Sequence, residues 1–193
     1  MRIKILDGLF AIFLFLPLRI FASNFVVFDE NILNEKVKNE IKLIGSEIYD
    51  KTGIFVGVAI GDATPFEILL TKQKELPPPY ILLALSRSSH KVDIVGTKDA
   101  LAFFDREAVL SPFAGTGTIL PILASQKGDI YNAAILNGYG DICDRLARYF
   151  HLDLEHSIGN ANRDTLNIMR ILLYGFICFA LLYFFQRRRK IRA

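Results

Sequence analysis

The sequence predicts an α/β protein: a three-layer α/β/α sandwich on a small mixed sheet, followed by one transmembrane helix. Three observations carry this. Amphipathic helical periodicity and unbroken apolar runs of strand length alternate through residues 31–96. Two of those runs are joined by a polar turn too short for a crossover, which makes one strand antiparallel to its neighbour. Near the C-terminus, "ILLYGFICFALLYFF" (171–185) runs for fifteen residues without a charge.

Taken in order, residues 31–50 place Leu33, Val37, Ile41, Ile44 and Ile48 at helical spacing, with Asn31 as the expected cap. "IFVGVAI" (54–60) shows no polar alternation and reads as a strand buried on both faces. Residues 64–75 read as a second helix, ended by "PPP" (77–79), because proline fixes φ and removes a donor. "YILLAL" (80–85) is a second buried strand, "SRSSHK" (86–91) a polar turn and "VDIVG" (92–96) a third strand. The stretch 97–112 suggests one or two short helices, and 113–129 mostly loop around a short apolar segment. Residues 130–150 carry the clearest helix. Ile135, Tyr139, Ile142, Leu146 and Tyr149 form its apolar stripe, and Asp141–Arg145 and Asp144–Arg148 are spaced as i,i+4 ion pairs.

The ends of the chain set the expected topology. "MRIKILDGLFAIFLFLPLRIFAS" has a basic start, an apolar stretch from Leu9 to Leu18 and small residues at Ala22 and Ser23. This is the layout of a secretory signal, cut near Ser23 or retained as a second anchor. The run 171–185 is apolar on every face, unlike a helix packed at a surface; Ile168 and Met169 extend it, with Arg170 able to snorkel from its edge, so that 168–186 is long enough for a short span. Arg187, Arg188, Arg189, Lys190 and Arg192 follow at once, and short basic segments stay cytoplasmic. The expected organisation is therefore a signal peptide (1–23), an exported domain (24–150), a polar spacer (151–167), a membrane helix (168–186) and a cytoplasmic tail (187–193). In a bacterial cell this puts the domain on the periplasmic side of the inner membrane.

Charge sorted by compartment argues against nucleic acid. The first 23 residues carry +2 and the last seven +5, which leaves −4 for the remainder of a chain whose net charge is +3. Cys178 lies in the apolar run, so Cys143 has no partner in the exported part and no disulfide framework is expected. The three histidines, His90, His151 and His156, lack the spacing of a zinc site. "GTGT" (115–118) lacks the remaining residues of a phosphate loop, and no Gly-x-Ser-x-Gly elbow is present. Carboxylates remain: Asp29, Asp62, Asp99, Asp105 and Glu107 flank the expected strand ends. Gathered there, two or three of them could hold Ca²⁺ or Mg²⁺; otherwise they are helix caps and solvated charges.

The order of these pieces resembles the TPM-domain family over roughly residues 25–150. "VVFDENILN" is similar to the family's opening, with Asp29 before the first long helix. "KTGIFVGVAI" resembles its glycine-led approach to a strand, with Gly53, and "KVDIVGT…FFD" resembles its third strand, with Gly96 and the later Asp105. "KGDIYNAAILNGYGDICDRLA" is similar to the closing helix, with Gly128, Asp129, Tyr131 and Gly138 matching. The resemblance implies an exported, membrane-anchored interaction domain that helps assemble or maintain a membrane protein complex. For some members it also implies a divalent-metal-dependent acid phosphatase, whose metal residues here would be Asp29, Asp62 and Asp105; no catalytic residue is assigned. Two turns beside the family's cleft depart from its pattern: an Asp-Asn-Gly turn is replaced by "LPPPY", and a Gly-Tyr-Gly by "GTK". The interaction role is thus the leading expectation and the phosphatase the alternative.

Overall fold

The computed structural model describes residues 24–113, 116–125, 128–158 and 172–179. Strands β1 (Val26–Asp29), β2 (Phe55–Gly61), β3 (Tyr80–Ser86) and β4 (Lys91–Gly96) form one mixed sheet in that order. The first three are parallel, and β4 runs antiparallel to β3, with Ser86 opposite Lys91 and Ile81 opposite Gly96. The protein is therefore α/β, as its alternating pattern predicts. β1 escapes the pattern because it is only four residues long, at a sheet edge, with a register shift between Val26 and Phe28.

Helix α1 (Glu35–Thr52) starts later than its periodicity suggests. The Asp29 carboxylate accepts the N–H groups of Ile32 (2.8 Å) and Leu33 (3.2 Å), and Asn31 turns left-handed with φ 59°. The cap is therefore Asn34, whose side chain accepts from Val37 N at 2.9 Å, and not Asn31. The helix ends on Gly53, left-handed at φ 72°, whose N–H reaches the Tyr49 carbonyl at 2.7 Å.

Every residue of β2 is buried, and almost all of β3. Val56, Val58 and Ile60, with Ile81, Leu83 and Leu85 opposite them, form one face, against which α1 and α6 (Ile130–Tyr149) pack. Beside the larger Phe55, Tyr80 and Leu82, five of the alternate positions are small: Gly57, Ala59, Gly61, Ala84 and Ser86. They let Leu76 and Leu69 approach closely from α2 (Phe66–Thr71) and the 3-10 turn Lys72–Glu75. The expected 64–75 helix is therefore split in two, beginning after Pro65. Helices α3 (Lys98–Leu101) and α4 (Arg106–Val109) flank β4, and α5 (Ile119–Ser125) forms where loop was expected, its Pro121 tolerated in the first turn.

The α6 stripe is buried through Ile135, Tyr139, Ile142 and Leu146, while Tyr149 is exposed. Tyr139 donates its hydroxyl to the Val56 carbonyl at 2.9 Å, fixing α6 over the sheet. Gly45 of α1 leaves the space that the Tyr139 hydroxyl and the Phe25 ring fill, and Gly138 leaves the space for Ile119. Of the two expected ion pairs, Asp141–Arg145 forms at 2.8 Å. Asp144 is instead taken by the Ser157 hydroxyl, and Arg148 bonds the Asp144 carbonyl.

That Ser157 contact belongs to a segment expected to be a free spacer. Residues 151–158 double back along α1 and α6 as a strap. Leu152 N donates to the Ala147 carbonyl, Lys51 holds the Asp153 carbonyl at 2.6 Å, and Leu154 is buried. Glu47 accepts the N–H groups of Glu155 (2.7 Å) and His156 (3.0 Å), and Ile158 covers Gly140. The fold thus continues to residue 158 and does not stop at 150.

Of the apolar run 168–186, residues 172–179 are described; they are helical and exposed. Among the described residues no helix is long and apolar enough to cross a membrane. The expected signal (1–23), the basic tail (187–193) and the rest of the run lie outside the described residues.

Candidate functional site at the strand ends

In open α/β sheets ligands bind beyond the carboxyl ends of the parallel strands. Here those ends present Asp29, Glu30 and Asp62, and each is already engaged. The Asp29 side chain is 7% exposed and pairs through Oδ2 with Lys38 Nζ at 3.0 Å. That oxygen lacks a well-directed hydrogen bond, but the ammonium beside it neutralises it, and the same contact pushes the Lys38 pKa up. Asp62 is exposed and pairs with Arg87 at 3.1 Å.

Asp105 lies elsewhere. It caps α4 by accepting from Ala108 N at 3.0 Å, and the adjacent Arg106 reaches Asp93 in the middle of β4. It therefore sits beside β4, the edge strand opposite β1, about 14 Å away at three strand spacings. The structure brings Asp29 and Asp62 to neighbouring strand ends and leaves Asp105 apart. Among the described residues no three His, Cys, Asp or Glu side chains group to hold a metal. A pair of carboxylates already held by Lys38 and Arg87 does not fit Ca²⁺ or Mg²⁺, which need several free oxygens.

Sequence reasoning passed over Glu30. Its carboxylate accepts the N–H groups of Asp62, Ala63 (2.8 Å) and Thr64 (3.3 Å) and the Thr64 hydroxyl. The Thr64 hydroxyl is the main cause of its lowered pKa. From the other side Ser86 donates its hydroxyl to the Thr64 carbonyl at 2.9 Å. The β2–α2 loop is therefore clamped through its donors and an acceptor. Only the pairing of β1 with β2, which places Glu30 N on the Ile60 carbonyl, makes this role visible.

Asp129 and Asn132 are the other residues near this end with assigned work. Asp129 caps α6, and buried Asn132 donates to Asp129 and to the Ile32 carbonyl while accepting from Asn34 N at 2.9 Å. Asn132 stitches α6 to the start of α1. Cys143 is fully buried, and burial pushes its thiol well above its ordinary range, which favours the neutral thiol over the reactive thiolate.

Beyond β3 a cleft of about 430 Å³ opens between the β3–β4 turn, α5 and the first residues of α6. One wall is apolar, with Leu120, Leu123 and Ile130; the rim carries Arg87, His90 and Lys91. The Arg87 guanidinium lies 4.5 Å over the Tyr131 ring. Ser86 also lines the cleft, but its hydroxyl is committed to Thr64, and no hydrogen bond joins it to His90 on the rim. The arrangement can bind; among the described residues it shows no hydrogen-bonded nucleophile–base pair. Compared with known families and curated proteins, the chain matches no family model and no curated sequence.

Proposed function

We propose that the chain is an exported domain of TPM type, a thin three-layer sandwich carried on a single membrane span at 168–186. On this reading it works as a binding module that helps assemble or maintain a membrane protein complex. One observation carries the reading: the strap fastens the chain to the domain up to Ile158, so only the nine residues 159–167 separate the fold from the apolar run. Fully extended, such a connection reaches about 30 Å, roughly one small-domain diameter. A domain held so close acts on what lies in or on the membrane. The resemblance to TPM domains, and the lack of a nucleophile–base pair in the described cleft, support binding over catalysis.

The test is crosslinking in intact membranes from a photoreactive residue at Leu43, which is exposed on α1. A discrete adduct with a membrane protein is expected. It should be lost when about 30 Gly/Ser residues, some 30 Å of root-mean-square reach, are inserted after Asn160. An adduct indifferent to tether length, or none at all, would sink the proposal.

A further inference from the structure

We infer that the cleft beyond β3 is a binding site for a small organic acid, a carboxylate carried on an apolar group. This goes beyond the tethered-module reading and does not depend on it.

The argument starts with Arg87. Its guanidinium carbon lies over the Tyr131 ring, 4.5 Å from the centroid, which holds the group at the mouth of the cleft. A planar fork held this way is suited to a two-point contact with a carboxylate. Its present partner, Asp62, is more than half exposed, and exposed pairs of this kind contribute little. An incoming acid can therefore replace Asp62 at small cost. Lys91 and His90 stand on the same rim, and Lys91 is held by an exposed pair with Glu67 at 3.3 Å and a 5.9 Å contact over the Phe66 ring.

Below the rim the chemistry changes sign. Leu120, Leu123 and Ile130 line the interior, and no carboxylate is among the described residues that line the cleft. A cation would meet no counter-charge inside, and a purely polar ion would leave the apolar wall unused. The volume, about 430 Å³, falls within the range of about 300–1,000 Å³ usual for small-molecule sites. The first backbone donors of α6 are not needed for this, because Asp129 already accepts from Asn132 N.

The experiment uses the full chain in lipid nanodiscs and three soluble probes of one shape: 3-phenylpropionate, 3-phenylpropanamide and 3-phenylpropylamine. Binding is read by saturation-transfer NMR and calorimetry. The acid should bind at least tenfold tighter than the amide or the amine. R87Q should remove that preference without moving the melting temperature by more than a few degrees. D62N, which removes the competing carboxylate, should tighten acid binding severalfold. Should R87Q fail to fold, D62N alone still decides. Equal binding of acid and amide, no binding of the acid, or a D62N chain that binds the acid no more tightly overturns the proposal.

Discussion

Tyr139 and Gly45 are best understood together. The tyrosine spans from α6 to the Val56 carbonyl, and the glycine is where its hydroxyl end fits against α1. Burial pushes the Tyr139 hydroxyl well above its ordinary pKa, so it stays a neutral donor. Tyr139→Phe removes one buried hydrogen bond and should cost about 1 kcal/mol, measured by denaturant unfolding. Gly45→Ala drives a methyl into the hydroxyl and the Phe25 ring, and should cost about 1–3 kcal/mol through overpacking. Asp105→Ala should cost about 1 kcal/mol through loss of the α4 cap, with no change in any response to Mg²⁺ or Ca²⁺. A metal-dependent gain in stability that Asp105→Ala abolishes would contradict this. At this scale the sequence points to the right residues and leaves two tasks open for them, ligand or cap. Asp29 and Asp105 stand out as strand-end carboxylates, but residue type alone does not distinguish a ligand from a cap. Glu30 and Arg87 go unnoticed because their partners come from other strands and helices.

The strap is the element with the most to test. Partial burial works against the charge of Glu47, but the Lys51 ammonium, the two amides and the His156 ring outweigh it. Its pKa falls from an ordinary 4.5 to about 2. A carboxyl depressed in the folded state stabilises above its ordinary value and loses that contribution as pH falls toward the depressed one. Protection of the Glu155 and His156 amides from hydrogen exchange, relative to α6, should hold down to about pH 4.5 and vanish toward pH 2. Glu47→Gln should remove it at neutral pH and cost about 1–3 kcal/mol. Protection that persists in Glu47→Gln would show that Leu154 and Ile158 hold the strap unaided. Periodicity made the long elements legible: α1, β2, β3, β4 and α6 follow from their apolar spacing. The strap was not, because Leu152, Leu154, Ser157 and Ile158 face inward among polar neighbours, which reads as a solvated linker. The edge strand β1 was too short to show alternation, and α5 was obscured by Pro121 and the glycines around it.

For the molecule as a whole, the mixed sheet could be read in advance from three apolar runs and one tight turn, because strand burial and connection length leave few arrangements. The site could not, since the cleft joins residues of β3, α5 and α6 that are distant in sequence. The proposed topology is testable directly. A reporter active only outside the cytoplasm should work when fused after Asn160 and be silent after Ala193. The reverse pattern would refute both the span and the exported domain.

The stitches between the first helix and the last part of the chain bear on how the protein is made. Asn132 meets Ile32 and Asn34, and Glu47 meets Glu155 and His156, about a hundred residues apart. Synthesis delivers α1 and the strands long before their cover. Until α6 emerges, Val58, Leu83 and their neighbours have only α1 over them and remain a partly uncovered apolar surface. The final contacts close at residue 158, and on the exported reading the stretch that halts translocation begins ten residues later. On that reading completion of the fold and arrest in the membrane would coincide, and a chain interrupted before Gly140 would leave the translocation machinery unanchored and with its sheet only partly covered, a form suited to prompt degradation.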